Sequence, residues 1–213
     1  MPKRAQLLDE LSGPAGYGIL LLGQMGGVPN EINLLIETAV YDDGAEGLRP
    51  LRTYAVRALG VREQRLSLGV FGRLQFLTEH PLLIHANSPR AAVHFSGRPD
   101  HVEDLVLDIS QAYVSTFGPW RHLIEQADDL NRSAPLVDLL QGGAGQLGVM
   151  PLPLAERMVR VLKHHKMTAS LALESGFEAE DEHGRSRLLQ LLLIDQSYVT
   201  ALGFAVDEVG KAE

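Results

Sequence analysis

The chain has 213 residues, 45% hydrophobic and 22% charged, with a formal net charge of −8 and no cysteine. This length and composition predict an ordinary globular chain rather than a disordered one, and at this size roughly 70% of the unfolded surface can be buried without a metal or disulfide staple. The lack of thiols excludes disulfides, thiolate metal sites and thiol nucleophiles and fits a cytoplasmic setting, while the acidic balance argues against nucleic-acid and anionic-membrane partners.

Residues 2–11 (PKRAQLLDEL) predict a short amphipathic helix ended by Ser12-Gly13-Pro14. Lys3 and Arg4 do not open a signal peptide, because Asp9 and Glu10 interrupt the apolar run and the next one, Tyr17 to Leu22, is shorter than the roughly 7–15 residues of a signal core. No stretch approaches the roughly 18 apolar residues of a membrane span, so a soluble chain is expected. Residues 17–23 (YGILLLG) predict a strand buried on both faces, since the run is short and continuous. Residues 31–41 fit a helix through Ile32, Leu35, Ile36 and Ala39, or a strand through Ile32, Leu34, Ile36 and Val40; the strand is preferred. In the stretch 50–97, Leu66, Leu68, Val70, Leu74 and Phe76 share one parity, which predicts a half-buried strand paired with residues 51–60. Residues 82–87 and 91–96 then predict a hairpin around Ser88-Pro89.

The period changes at Asp100. Asp100 and Glu103 suggest an N-cap and capping box, followed by a stripe at Val102, Leu105, Val106, Ile109, Ala112, Tyr113 and Thr116 at helical spacing. Gly118 ends that helix, and Pro119 opens another with apolar positions Trp120, Leu123, Ile124, Ala127 and Leu130. Shorter helices are predicted over 135–141 and 153–166, a strand over 169–176, an exposed acidic loop after it, and strands over 188–195 and 198–206. Strands, then helices, then strands argue for one α+β domain over 1–213, with a mostly antiparallel sheet of N-terminal strands plus a C-terminal hairpin, packed by a central group of helices.

The motifs that could carry chemistry are weak. Gly143-Ala-Gly145-Gln-Leu-Gly148 spells G-x-G-x-x-G, but a dinucleotide loop needs a strand before it and a helix opening from it. Pro151 and Pro153 interrupt such a helix, so a glycine-rich helix–helix connection is the expected reading. The loop Gly23 to Asn30 reads as a turn between strands, with anion binding as the alternative if residues 31–39 were helical. His80, His85, His94, His101 and His122 fall within 43 residues. On the predicted hairpin, His85, His94 and Ser96 share a face and form the candidate ligand-binding set, with Ile84, Val93 and Phe95 opposite. Two imidazoles on one face can hold a divalent metal, with His101 or Asp104 as a third ligand, but a solvated hairpin face explains them as well. Arg157, Arg160, Lys163, His164, His165 and Lys166 gather toward one helix C-terminus, where the macrodipole favours cations; the alternative is a nucleic-acid patch. No nucleophile elbow, S-x-x-K or H-E-x-x-H is present. No metal or cofactor can be named.

Two functional readings follow. The first is a non-catalytic binding or adaptor domain with a protein partner, homo-oligomeric because the apolar segments 17–22 and 188–194 need covering. The alternative is a metal-assisted hydrolase built on residues 80–122. A small-molecule pocket beside Tyr113 and Trp120 is a third possibility, although such aromatics more often fill cores.

Overall fold

Strand is the commonest regular structure among the described residues. The structure, a computed structural model, describes residues 3–13, 15–44, 46–175 and 187–211. Its elements run α1 (Lys3–Ser12), β1 (Gly16–Met25), β2 (Glu31–Asp42), β3 (Gly47–Leu59), β4 (Glu63–Arg65), β5 (Gly69–Phe71), β6 (Leu74–Leu77), α2 (Ile84–Asn87), β7 (Arg90–Ser96), α3 (Val102–Phe117), α4 (Leu136–Gln141), β8 (Ala144–Pro151), α5 (Leu152–His164), β9 (Thr168–Ser175), β10 (Gln190–Ile194), β11 (Ser197–Ala201) and β12 (Gly203–Lys211). Short 3-10 turns cover Pro81–Leu83, Gly118–Trp120 and Leu123–Asp128. The fold is α+β with antiparallel sheets, and no described helix is long and apolar enough to cross a membrane. The chain divides into two compact units, Met1–His80 with Asp181–Glu213, and Pro81–Glu180. The acidic run Glu178 to Glu182 lies outside the described residues.

In the first unit, β12-β3-β2-β1-β5 form one sheet and β4-β11-β10-β6 a second. Period-2 burial decides the ambiguous segment 31–41: Ile32, Leu34 and Ile36 are buried, and residues 31–42 pair along the length of β3. Tyr54, Val56 and Ala58 of β3 share that core with Leu192, Ile194, Val199 and Ala201 from the carboxyl end. The late strands do join the early ones, β12 on β3, β10 on β6 and β11 on β4.

Two expectations in this unit are corrected. Residues 17–23 form a strand, but Leu21 and Leu22 are 43% and 42% exposed. The register slips between Leu20 and Leu22, so Leu21 is the unpaired residue of a bulge and the inward parity is lost beyond it. Residues 63–77 are not one strand paired with 51–60. They break into β4, β5 and β6, with β5 in the first sheet and the other two in the second, and Gly69 turns the chain at φ 131°. Leu68 and Val70 are exposed, and β3 pairs instead with β2 and β12.

Helix α1 is tied to the first sheet by Glu10. Its carboxylate accepts from Thr38 Oγ1 at 2.6 Å and Tyr54 Oη at 3.0 Å, and pairs with Arg52. Burial, then the hydrogen bond to Glu10, pushes the Tyr54 phenol up to about 12.

In the second unit, β8-β7-β9 form an antiparallel sheet. Ala91, Val93 and Phe95 face α3 and α5 through Leu105, Ile109, Leu154 and Met158. The α3 stripe is buried as its spacing predicts, but His101, not Asp100, is the N-cap, and it makes no side-chain cap. Asp100 instead pairs with Lys166 at 2.8 Å.

Residues 82–87 are helical, not a strand; β7 pairs with β8 and β9. A short apolar run does not distinguish strand from buried helix, and the choice here fell the other way. The predicted helix after Pro119 is two 3-10 turns, with Ile124 84% exposed. Its end is drawn onto the edge of β8, where Leu130 bridges Gly148 and Asn131 N donates to Leu147 O at 2.8 Å.

That approach explains the glycine motif, which is strand β8 and not a helix–helix connection. A Cβ on Gly148 would lie 2.0 Å from Asp129 O, and Gly143 holds φ 83° after α4. Gly148→Ala is therefore expected to lower stability by about 1–3 kcal/mol. Gly145→Ala, whose Cβ meets nothing closer than 3.4 Å, is expected to stay within about 0.5 kcal/mol. Thermal unfolding followed by circular dichroism checks the pair, and equal melting temperatures would contradict the close approach.

Candidate functional site

The three residues singled out by sequence do not share one hairpin face. His94 and Ser96 lie two apart on β7, exposed, on the sheet face away from Val93 and Phe95. Ser170 is opposite His94 and Thr168 opposite Ser96 on β9. His85 sits on α2 instead, stacked on Phe117 with ring centroids 5.0 Å apart. Its Nε2 is 3.4 Å from Asp129 Oδ2, long for a hydrogen bond.

Around His85 is a buried polar cluster spanning α2, β7, α3 and the 3-10 turn Leu123–Asp128. Asp129 is 2% exposed, and Arg90 Nη2 is 3.6 Å from its second oxygen. Glu125 accepts from Arg121 Nη1 at 2.8 Å and from His122 N at 2.9 Å. Tyr113 packs on Phe117 at 4.7 Å and is fully buried, so it belongs to the core rather than to a pocket wall. Trp120, the other aromatic of that reading, is half-buried in a 3-10 turn.

Burial, followed by the positive fields of Arg121 and Arg90, drives the His85 imidazole down to about 3 against a weaker upward pull from Asp128. Burial, then Glu125 and Asp129, pushes the Tyr113 phenol up to about 12. A general acid or base works best with a pKa near the operating pH. A neutral imidazole and a protonated phenol fit a structural role, and His85 Nε2 and Tyr113 Oη are buried without a hydrogen-bond partner among the described residues.

The arrangement that faces solvent is a groove of about 470 Å3 between α3 and α5. Asp108, Gln111 and Ser115 line it from α3, and Arg157, Arg160 and Val161 from α5. Spacings of three and four residues put each set on one helix face. Ser115 Oγ donates to Ala112 O at 3.0 Å and accepts from Arg157 Nη1 at 2.7 Å, so the first guanidinium is held in place. Arg160, one turn on, takes part in no ion pair among the described residues. Asp108 is engaged by His165 Nε2 at 2.8 Å, and Lys166 by Asp100. Two arginines thus stand beside one carboxylate, itself in contact with His165, in a protein of net charge −8. Guanidinium forks in such a place suit carboxylate or phosphate groups, which they bind with two parallel hydrogen bonds.

The basic stripe of α5 was visible in sequence; its wall from α3 was not, because nothing in a single sequence shows which helix packs beside it. No group of three His, Asp or Glu side chains placed to hold a metal occurs among the described residues. The chain matches no protein-family model, no curated protein and no solved structure.

The depressed His85 value has a consequence for stability. Between the unfolded value near 6.5 and the folded value of about 3, the unfolded chain binds the extra proton, so stability falls as pH falls through this window. Urea denaturation between pH 7 and about 5, above the ordinary carboxylate range, should show declining stability. His85→Phe should flatten that decline; an unchanged slope would mean the imidazole is protonated in the folded state.

Proposed function

We propose that the protein is a non-catalytic binding module that receives an acidic segment of a protein partner in the α3–α5 groove. The observation that carries this reading is the pair Arg157 and Arg160, the first oriented by Ser115 and the second without an ion-pair partner among the described residues. Cationic groups in a concave surface of an otherwise acidic protein attract and orient an anionic ligand. Asp108 limits the groove to a modest net positive charge, which fits a short carboxylate-bearing segment better than a polyphosphate backbone. A cytoplasmic setting belongs to this proposal and rests on the missing cysteines.

The hydrolase alternative draws no support from the geometry. It required His85 and His94 on one hairpin face, whereas His85 is packed on Phe117 from a helix and His94 is exposed on β7.

Self-association has one specific observation in its favour. Among the described residues β9 pairs only with β7, and Leu173 on it is 70% exposed. A second copy adding its own β9 would extend the sheet and cover that leucine. Light scattering on the purified chain should then give a dimer mass, and Leu173→Lys a monomer; a monomeric parent chain ends this reading.

For the groove, a short poly-glutamate peptide is the probe. Its binding should shift backbone amide resonances of α3 and α5, weaken with added salt, and drop at least about tenfold in the double variant Arg157→Glu, Arg160→Glu, as expected for the loss of charge-assisted hydrogen bonds worth about 1.5–3 kcal/mol each. Equal binding to the parent and the double variant would sink the proposal.

A further inference from the structure

The first unit holds a separate cleft of about 500 Å3, between the end of α1, the start of β1 and the turn from β5 to β6. Small-molecule sites occupy roughly 300–1,000 Å3 and combine apolar walls with a few placed polar groups. This cleft has both. Leu8, Leu11 and Leu74 line it with apolar surface, and Leu11 and Leu74 are themselves anchored in the core. Tyr17, Arg73 and Gln75 supply the polar groups, and none of their side chains has a hydrogen bond or ion pair among the described residues. Arg73 is the one charged residue of the lining.

Both walls are fixed without a ligand. On one side, Ser12 Oγ donates to Leu8 O at 2.8 Å, and Gly16 N donates to Gly13 O at 3.0 Å. The backbone approach there is so close that a Cβ on Gly16 would lie 2.5 Å from Glu10 O. On the other side, the Asp195 carboxylate accepts from Gly72 N at 3.1 Å and Arg73 N at 3.0 Å, while Asp195 N donates to Arg73 O at 3.1 Å. The turn carrying Arg73 is thereby clamped to the turn between β10 and β11. A Cβ added at Gly72, a residue of the lining, would meet nothing within 4 Å. A site whose walls are already set spends little binding energy on ordering.

We infer that this cleft binds a small molecule with an apolar body and a single carboxylate. The body lies on Leu8, Leu11 and Leu74, the carboxylate meets the Arg73 guanidinium, and the Tyr17 hydroxyl and Gln75 amide supply further donors. One cation at the rim suits a monoanion; a phosphate dianion would call for more. The inference is independent of the α3–α5 groove, which lies in the other unit.

The test uses the full chain and two probes, 3-phenylpropanoate and its uncharged amide, with binding measured by ligand-observed NMR and calorimetry. The acid should bind with one site per chain, and the amide at least about tenfold more weakly, the effect of losing a charge-assisted hydrogen bond. Arg73→Gln should bring the acid to the level of the amide. Gly72→Leu, which adds bulk at the lining, should weaken binding of both. The inference is overturned if neither probe binds the parent chain, or if the acid binds Arg73→Gln as tightly as the parent. Should Gly72→Leu prove misfolded by circular dichroism, the Arg73→Gln comparison decides alone.

Discussion

The first unit depends on the return of the carboxyl-terminal strands to the amino-terminal core, β12 on the first sheet and β10 and β11 in the second. Leu192, Ile194, Val199 and Ala201 occupy the same core as Leu20, Ile36, Tyr54 and Val56. Without them β2 and β3 would keep their backbone pairing but leave one apolar face in water. Burial of a large apolar side chain contributes about 1.5–3 kcal/mol, so Leu192, Ile194 and Val199 alone are comparable with the net stability of about 5–15 kcal/mol of a typical domain. Non-local pairing of this kind sets the first unit apart from the second, where the core-facing residues of β7, α3, β8 and α5 come from one continuous stretch of chain.

Charge is used in two opposite ways in the second unit. Around His85, burial and neighbouring guanidinium groups suppress ionisation of the imidazole, while Asp129 is held between His85 and Arg90. Such a cluster joins α2, β7 and the segment before α4. Along α5 most of the charges face water; beyond its end His165 Nε2 contacts Asp108, and Lys166 pairs with Asp100. Arg157 and Arg160 are the cations of the stripe that line the groove, while Lys163 and His164 lie outside its lining.

Much of the fold was legible wherever a period ran long enough to be unambiguous. The stripe of α3, the helices before and after β8 and the antiparallel α+β class follow from spacing alone, whereas residues 31–41 fitted both periods and only their pairing with β3 made them a strand. Short apolar runs misled: residues 82–87 offer too few positions to separate a strand from a buried helical turn. Alternation at 66–76 was real, but single residues cannot show that Gly69 turns the chain from one sheet to another. A bulge at Leu21 reversed an inward face that continuity had suggested. Of the site, the cations of α5 were legible, whereas the meeting of His85 with Asp129 and Arg90, and of Arg157 with Ser115, joins residues far apart in sequence and has no local signature.

The chain leaves the first unit after β6 and re-enters it as β10, and these two strands are antiparallel neighbours with Leu77 paired to Leu191. The whole second unit therefore stands where an ordinary hairpin would need only two to five residues. Closing a longer loop costs only about 0.6 kcal/mol for each doubling of its length, so a folded insert is tolerated there as readily as a flexible one. The second unit thus occupies the position of a hairpin loop in the topology of the first, and chain closure alone sets little penalty on the length inserted there.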